Sequence, residues 1–320
     1  MIIKHSLIVP CYNEEGNVEK FLSEVKKAML EYTNDYEIIF VNDGSTDSTP
    51  KKLREIFDKN KDVKIKVINF SRNFGKEAAM YAGFTKVSGK YATVIDADLQ
   101  QDPKYAVEMA KILDENPECD MVAAYQSERK EGKVISNLKK IFYKFIDKFS
   151  DVDFISDASD FRTMRYNVVQ TILSLPEYHR FSKGIFSWIG YNTVSIPYEV
   201  KQRESGETKW GLKKLLKYAL EGIMAYTNLP LKIPYFLSII LFLISIILVV
   251  VFIILDRNLS DAVFAGGYIA ALCVLLTSLV LFSQGIIGTY VSKIHTQVKD
   301  RPIFIAKEIL TYELDKETDN

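Results

Sequence analysis

The sequence predicts an α/β domain with a mainly parallel sheet, followed by an amphipathic helix at a membrane surface and two transmembrane helices. Short β-rich runs alternate with helical patterns through the first half of the 320-residue chain, as in sheets covered by helices on both faces. Two uncharged apolar stretches lie near the C-terminus, and each exceeds the roughly 20 residues that cross a hydrocarbon core. A lysine-rich amphipathic segment precedes the first of them.

Five β-rich runs are the predicted strands. They are residues 7–9, 37–41, 65–68, 93–95 and 121–123. Apolar residues recur at helical spacing from Val18 to Met29 between the first two runs, which predicts a helix. Because strands joined by helices run parallel, their carboxyl ends meet at one edge of the sheet, where ligands bind.

Ile233–Leu255 and Ala262–Tyr290 are the predicted transmembrane helices. The loop between them is short and slightly acidic, whereas lysines flank both stretches on their outer sides. The positive-inside rule therefore places both flanks in the cytosol. This pattern predicts a multi-pass protein of the inner (plasma) membrane, with its large domain on the cytoplasmic face. Gln284 inside the second stretch predicts polar packing between helices, and hence a homo-oligomer.

These segments divide the chain into four predicted regions. They are a cytosolic domain (1–209), an interfacial helix (210–230), a two-helix membrane region (231–291) and a cytosolic tail (292–320). In the interfacial segment, apolar residues and lysines occupy opposite helix faces, as in helices that lie in the headgroup layer; a helix packed on the domain core is the alternative. The formal net charge is zero, which predicts no nucleic-acid partner.

Asp96-Ala-Asp98 is the most informative motif in the sequence. Two carboxylates at the C-terminal end of a buried strand form a hard-oxygen site for Mg²⁺ or Mn²⁺. Such a cation is suited to a diphosphate that must be bound and then released as a leaving group. Polar clusters also follow the first three strands, at residues 10–15, 42–47 and 71–76. Four such loops at one sheet edge predict a ligand site.

The ordered motifs resemble the inverting family-2 glycosyltransferases of the GT-A fold, which is Rossmann-like. The motifs are Pro10-Cys-Tyr-Asn-Glu-Glu15, Asn42-Asp-Gly-Ser-Thr-Asp47, Asn73-Phe-Gly-Lys76, Asp96-Ala-Asp-Leu-Gln100 and Arg203-Glu-Ser-Gly-Glu-Thr-Lys-Trp210. With two C-terminal spans, the chain is similar to the polyprenyl-phosphate branch, which includes bactoprenol glucosyltransferases and dolichol-phosphate mannose synthase. The resemblance implies a metal-dependent, inverting transferase.

The resemblance also implies a role for each motif. Asp96, Asp98 and Gln100 would hold the metal ion. The nucleotide-sugar donor would contact Pro10, Tyr12, Glu14, Asp43, Asn73, Lys76, Asp96, Arg203 and Lys209, the last two on a mobile basic loop.

On the acceptor side, Arg129 and Lys140 would bind the phosphate of a polyprenyl-phosphate lipid. Asp157 and Asp160 would lie near the acceptor, where either could orient the sugar or act as a base. Together with Asp96 and Asp98 they are the predicted catalytic residues. Arg180 and Phe181 resemble a loop near the sugar pocket.

The implied reaction moves a hexose from a UDP-sugar to undecaprenyl phosphate, with glucose favoured over N-acetylglucosamine. The β-linked lipid product would serve cell-envelope glycosylation, with a flippase as a partner. A GDP-mannose-dependent mannosyltransferase of the same branch is one alternative. A processive polysaccharide synthase is another, but it needs more spans and a Gln-x-x-Arg-Trp motif that Gln202-Arg203 and Trp210 do not supply. Intact Asp96 and Asp98 argue against a non-catalytic membrane adaptor.

Overall fold

The computed structural model describes residues 3–127, 158–200 and 262–312, together with scattered helical residues between 234 and 247. Its strands are β1 (His5–Cys11), β2 (Tyr36–Asn42), β3 (Lys64–Phe70), β4 (Tyr91–Val94), β5 (Met121–Gln126), β6 (Ala158–Arg165), β7 (Thr193–Tyr198) and β8 (Ala306–Leu310). Its helices are α1 (Val18–Leu30), α2 (Thr49–Lys59), α3 (Lys76–Phe84), α4 (Lys104–Glu115), α5 (Tyr166–Ser174), α6 (Ser182–Trp188) and α7 (Ala262–Val298).

The strands form one sheet in the order β7-β5-β6-β4-β1-β2-β3-β8. Strands β4, β1, β2 and β3 are parallel neighbours, and β5 is parallel to β7. Strand β6 runs antiparallel to both β4 and β5, and β8 antiparallel to β3. The α/β class with a mainly parallel sheet is confirmed, and the five predicted strands correspond to β1–β5.

Two hydrophobic layers cover the sheet, one on each face. Alternation along β1 directs Leu7 and Val9 toward the layer that contains α1, α2 and α4, and Ile8 toward the layer that contains α3, α5 and α6. Period-two alternation is what a strand buried on both faces requires. Since helices cover both faces, the carboxyl ends of the parallel strands form the edge at which polar side chains gather.

Helix α7 includes a segment, Leu275–Val298, that is long and apolar enough to cross a membrane, the one such helix among the described residues. It overlaps the second predicted span and extends beyond its predicted end. The first predicted span lies mostly outside the described residues, and the predicted interfacial helix lies wholly outside them. One candidate span is therefore present in the described part of the chain, where the sequence predicts two over its full length.

The chain after α7 returns to the sheet. It reverses near Asp300, which adopts a left-handed φ of +48°, and β8 then pairs with β3. Glu308 of β8 accepts a hydrogen bond from Asn69 Nδ2 at 3.0 Å, and Tyr312 donates one to Glu37 Oε2 at 2.7 Å. The sequence predicts only a cytosolic tail over residues 292–320, with no strand. The membrane-candidate helix is thus held to the sheet on its C-terminal side.

Candidate active site

A polar cavity of about 180 Å³ opens at the carboxyl end of β4. It is lined by Lys76, Asp96, Asp98, Gln100, Gln101, Gln126, Ser159, Asp160, Lys183 and Tyr198. Of the predicted site residues, Lys76, Asp96, Asp98, Gln100 and Asp160 meet here. The sequence predicts no role for the other five lining residues, which are Gln101, Gln126, Ser159, Lys183 and Tyr198. Gln101 and Ser159 are chain neighbours of the predicted Gln100 and Asp160, whereas the other three belong to no motif.

Asp96 lies between a cation and an amide. Lys76 Nζ is 2.7 Å from Asp96 Oδ1. Gln101 accepts a hydrogen bond from the Asp96 backbone N–H at 2.9 Å and donates one to Asp96 Oδ2 at 3.3 Å. Burial raises the pKa of Asp96, although Lys76 opposes that shift. The side chain is therefore fixed in position and accompanied by a positive charge.

The register between β4 and β6 places Asp160 beside Asp96 in the cavity. Val94 of β4 is opposite Arg162 of antiparallel β6, so Asp160, two residues before Arg162, lies beside Asp96, two residues after Val94. Lys76 Nζ is 3.2 Å from Asp160 Oδ2, while Oδ1 is buried with no hydrogen-bond partner among the described residues. Burial alone would raise the pKa of Asp160, but nearby cations, Lys76 foremost, hold it below its usual range. Asp160 is thus an ionised carboxylate with one buried oxygen that has no hydrogen-bond partner in the described part of the chain.

The turn after Asp98 has a strained backbone. Leu99 adopts φ +62° with its side chain buried, a conformation that costs roughly 1–2 kcal/mol for a residue other than glycine. The Gln100 backbone N–H donates to Asp98 Oδ1 at 3.2 Å. Burial of Leu99 compensates this strain and leaves Asp98 and Gln100 lining the cavity. Such strain is frequently found at binding sites.

The donor set fits a divalent cation. Asp96, Asp98 and Gln100 line one cavity, and their carboxylate and amide oxygens are ligands that Mg²⁺ and Mn²⁺ accept. No group of three or more His, Cys, Asp or Glu side chains suited to a metal occurs among the described residues. Because Mg²⁺ is commonly bound by one or two carboxylates plus substrate phosphates, a site completed by a diphosphate agrees with this composition.

Asp43 stabilises the loop after β3. It is buried, and its carboxylate accepts hydrogen bonds from the backbone N–H groups of Phe74, at 2.6 Å, and Gly75, at 3.0 and 3.1 Å. Asn73 Nδ2 donates to the Asp43 backbone carbonyl at 3.2 Å. Burial raises the pKa of Asp43, and the two backbone donors oppose that shift. In this structure Asp43 and Asn73 shape the loop that leads to Lys76.

The loop after β1 is joined to the loop after β2. Asn13 adopts φ +55°, donates its backbone N–H to Ser45 Oγ at 2.9 Å and accepts from the Thr46 backbone N–H at 2.9 Å. Glu14 accepts a hydrogen bond from Asn17 Nδ2 at 2.6 Å. Pro10 is half-buried and the Tyr12 ring is exposed. Pro10, Tyr12 and Glu14 thus lie at the same sheet edge as Asp96, though they do not line its cavity.

Arg180 and Phe181 contact the protein interior and do not face the Asp96 cavity. The Arg180 guanidinium donates to the backbone carbonyls of Leu175, at 3.0 Å, and Ile172, at 3.2 Å, and lies over the Tyr81 ring. Phe181 is buried. Neither lines the Asp96 cavity. Five further predicted site residues lie outside the described ranges: Arg129, Lys140, Asp157, Arg203 and Lys209.

A buried contact joins the first turns of α3 and α6. Glu77 accepts hydrogen bonds from the Ser182 backbone N–H, at 3.0 Å, and from the Ser182 hydroxyl. Burial and the charge of Asp160 raise the pKa of Glu77 to about 7, although the Ser182 donors oppose the shift. Since Lys76 and Lys183 are the chain neighbours of these two residues and both line the cavity, this contact fixes the spacing of its two lysines.

The sequence of this chain matches a known protein family and several of its members. Residues 6–173 match the family described as glycosyl transferase family 2. A bactoprenol glucosyl transferase of Shigella phage SfII is 33% identical over 96% of this chain and 98% of its own. A prophage bactoprenol glucosyl transferase homolog of Escherichia coli (strain K12) is 32% identical over 96% and 99%. An uncharacterized glycosyltransferase of Synechocystis sp. is 35% identical over 97% and 96%.

Solved structures show more distant likeness. Glucosyl-3-phosphoglycerate synthase from Mycobacterium tuberculosis aligns with a TM-score of 0.49 and 18% identity, over 68% of this chain and 76% of that chain. The mannosyltransferase PcManGT from Pyrobaculum calidifontis aligns with a TM-score of 0.45 and 14% identity, over 91% and 87%. Likeness at this level carries no argument about the site.

Proposed function

This chain belongs to glycosyl transferase family 2, and we propose that it transfers a hexose from a UDP-sugar to undecaprenyl phosphate with inversion at the sugar C1. The observation that carries the proposal is the cavity in which Asp96, Asp98 and Gln100 meet Lys76 and Asp160. The names of the phage and Escherichia coli relatives support a polyprenyl-phosphate acceptor and favour glucose. N-acetylglucosamine is the second donor sugar that we propose.

Donor activation is an electrostatic problem. Displacement at C1 leaves a nucleoside diphosphate, and its developing charge must be neutralised in the transition state. Asp96, Asp98 and Gln100 would hold Mg²⁺ or Mn²⁺, which, when bound, supplies Lewis-acid stabilisation of the leaving group. Lys76 and Lys183 line the same cavity and add positive charge. Arg203 and Lys209 are proposed to contact the diphosphate and to add further positive charge.

The lipid phosphate acceptor does not need the activation that the nucleotide-sugar donor needs. A phosphate monoester is already ionised near neutral pH, so it needs positioning by cations rather than a general base. We assign Arg129 and Lys140 to that role. Asp160 Oδ1 is buried and has no hydrogen-bond partner among the described residues. We propose that it accepts a hydrogen bond from a sugar hydroxyl when the donor is bound, which would orient C1 toward the acceptor. Asp157 is proposed to lie nearby. Inversion follows from attack on the face opposite the leaving group.

Membrane attachment brings enzyme and lipid together. Helix α7 contains the candidate span Leu275–Val298, and we propose that it and the segment Ile233–Leu255 anchor the catalytic domain on the cytoplasmic face of the inner membrane. The segment 210–230 is proposed to lie in the headgroup layer. Packing through the membrane helices would give a homo-oligomer, and a flippase would take the glycolipid product onward for envelope glycosylation.

A reconstituted transfer assay tests this proposal. The purified full chain receives undecaprenyl phosphate with UDP-glucose, UDP-N-acetylglucosamine or GDP-mannose in Mg²⁺ or Mn²⁺, and mass spectrometry identifies the lipid product. We expect one hexose on the lipid from UDP-glucose, and its loss in chelator and in Asp98→Asn. Asp102→Asn, on the same loop but outside the cavity lining, is the matched control. A polymer, a product only from GDP-mannose, or full activity in Asp98→Asn would contradict the proposal.

A further inference from the structure

A second and larger cavity, of about 410 Å³, lies on the other side of the α3–α6 contact. Its walls come from residues 72–75, 77 and 78, the loop 178–181, and Lys293 and Ile303 at the C-terminal side of α7. It shares no lining residue with the Asp96 cavity. The Glu77–Ser182 hydrogen bonds stand between the two spaces. The second cavity is therefore separate from the proposed transfer site.

The charge of this second cavity is predominantly positive. Arg72, Arg180 and Lys293 line it, with Glu77 as the only carboxylate in the lining. Glu77 already accepts two hydrogen bonds from Ser182, so its negative charge is partly compensated by those donors. Arg180 donates to two backbone carbonyls and Arg72 donates to one, but these neutral partners do not cancel either positive charge. The net positive charge of the lining therefore favours an anionic ligand. Since arginine and lysine both bind phosphate oxygens, a phosphate group suits this lining.

The apolar lining of the second cavity and its position near the end of α7 indicate that the ligand also has a hydrocarbon part. Phe74, Phe181 and Ile303 also line the cavity, so that the ligand meets hydrocarbon beside the cations. Lys293 lies within the candidate span Leu275–Val298, close to its C-terminal end. Lysines near the ends of membrane helices extend toward the headgroup layer. The cavity therefore lies where a membrane lipid presents its charged end.

The wall formed by α7 is fixed to the domain. Gln297 donates a hydrogen bond to the Pro176 carbonyl at 2.6 Å and accepts one from the Tyr178 backbone N–H at 2.8 Å. Strand β8 then pairs with β3. These contacts hold the helix end against the loop 178–181, so the cavity is preformed. A preformed site avoids the ordering cost that binding would otherwise incur.

We propose that this cavity binds the phosphate of a membrane lipid, with the lipid chain running along α7. The inference rests on the membrane position proposed above for α7. A phosphate monoester carries more negative charge than a diester near neutral pH, so undecaprenyl phosphate should bind here more tightly than phosphatidylglycerol. Retention of the acceptor lipid beside the transfer site would be the consequence.

Photo-crosslinking of the full chain in neutral detergent micelles locates and measures this binding. The probe is a polyprenyl phosphate with a diazirine on its first isoprene unit, and the crosslinked peptides are identified by mass spectrometry. We expect saturable labelling of peptides that contain residues 178–181 and 293–303. Unlabelled undecaprenyl phosphate should compete best, phosphatidylglycerol less well, and inorganic phosphate weakly, because it lacks the apolar contact.

Charge-removing variants supply the decisive comparison. Lys293→Gln should raise the half-saturating probe concentration about tenfold, as expected for one charge-assisted hydrogen bond. Lys299→Gln, directly after the candidate span and outside the cavity lining, should change it less than twofold. Circular dichroism checks that both variants fold. Equal effects of the two variants, absence of label from these peptides, or equal competition by inorganic phosphate would overturn the inference.

Failure of this inference and failure of the proposed function have different signatures. Lipid labelling needs no donor and no metal ion. If the peptides are labelled but no donor yields a glycolipid, the proposed function fails and the lipid site stands. If sugar transfer occurs and Lys293→Gln binds the probe as the unmodified chain does, the lipid site alone fails.

Discussion

Lys76 Nζ lies 2.7 Å from Asp96 Oδ1, so that the first residue of α3 neutralises the first carboxylate after β4. The same ammonium group is 3.2 Å from Asp160. One lysine thus separates two carboxylates that would otherwise repel each other across the cavity. Because both carboxylates raise the pKa of this lysine against the effect of its burial, it stays charged at neutral pH. A divalent cation at Asp96 would supply the same neutralisation.

Replacing Lys76 should make the protein more dependent on metal. In Lys76→Met the two carboxylates lose their shared cation, so the metal-free chain should be less stable. Saturating Mn²⁺ should then raise the unfolding free energy by about 1 kcal/mol more than it does in the unmodified chain, a modest gain because the pair is partly exposed. Thermal unfolding with and without Mn²⁺ measures this. Lys51→Met, on an exposed position of α2, is the control. The same Mn²⁺ effect in all three chains would refute the prediction.

Gly44 is required by the close approach of two loops. It adopts φ +64°, and a Cβ there would lie 2.3 Å from the Arg72 carbonyl carbon and 2.5 Å from the Asn73 nitrogen. Gly44→Ala should therefore destabilise the chain by at least about 2 kcal/mol, through left-handed strain and a backbone clash. It should also weaken donor binding by displacing the loop that leads to Lys76.

Gly190→Ala is a matched control for Gly44→Ala. Gly190 adopts a similar φ of +68°, but no atom lies within 4 Å of the added Cβ. Its substitution should cost only the backbone strain, roughly 1–2 kcal/mol, and leave donor binding unchanged. Urea unfolding in detergent micelles and nucleotide titration measure both effects. If both substitutions lower the unfolding free energy equally, the close contact between Gly44 and the Arg72 backbone does not contribute to the destabilisation.

Gln297 connects the membrane-candidate helix to the loop 176–181. Gln297→Ala removes the acceptor of the Tyr178 backbone N–H and the donor to the Pro176 carbonyl. We expect hydrogen exchange at the Tyr178 amide to accelerate roughly fivefold, since a typical hydrogen bond contributes about 1 kcal/mol. The Thr296 hydroxyl donates to the Ser292 carbonyl within α7, so Thr296→Ala should leave that amide unaffected. Unchanged exchange in Gln297→Ala would mean that the loop is held by other contacts.

His5 should make stability depend on pH. It is fully buried, with Nε2 2.6 Å from Thr93 Oγ1, and burial, with a smaller effect of Lys4, lowers its pKa to about 3. The unfolded chain binds a proton at His5 below pH 6.5, whereas the folded chain binds it only near pH 3. The stability contributed by neutral His5 is therefore complete above pH 6.5 and is lost as the pH falls toward 3.

His5→Gln isolates that effect, because glutamine does not titrate. Between pH 7.5 and 5.0 the unmodified chain should lose about 2 kcal/mol more unfolding free energy than the variant. His295→Gln, at an exposed position of α7, should follow the unmodified chain. Denaturant unfolding at the two pH values provides the measurement. Parallel losses in the unmodified chain and His5→Gln would contradict the assignment of this pH dependence to His5.

Local sequence patterns determined the elements that lie close together along the chain. Strands β1–β5 could be predicted because apolar β-rich runs alternate with helical spacing, and the carboxylates of Asp96 and Asp98 could be assigned to the end of β4. The uncharged stretch Ala262–Tyr290 within α7 likewise predicted a span that overlaps the candidate Leu275–Val298. These features depend on the local balance of apolar and polar residues, which is readable without knowledge of distant contacts.

Tertiary structure alone decided which of the distant residues complete the cavity. Strand β6 carries buried polar side chains, Arg162 and Thr163, which obscure its alternation, so only pairing with β4 shows that Asp160 adjoins Asp96. Strand β8 becomes visible only through its pairing with β3, across more than 230 residues of chain. Such pairings are set by the shape of the assembled sheet and by the burial it offers, and no local pattern records either.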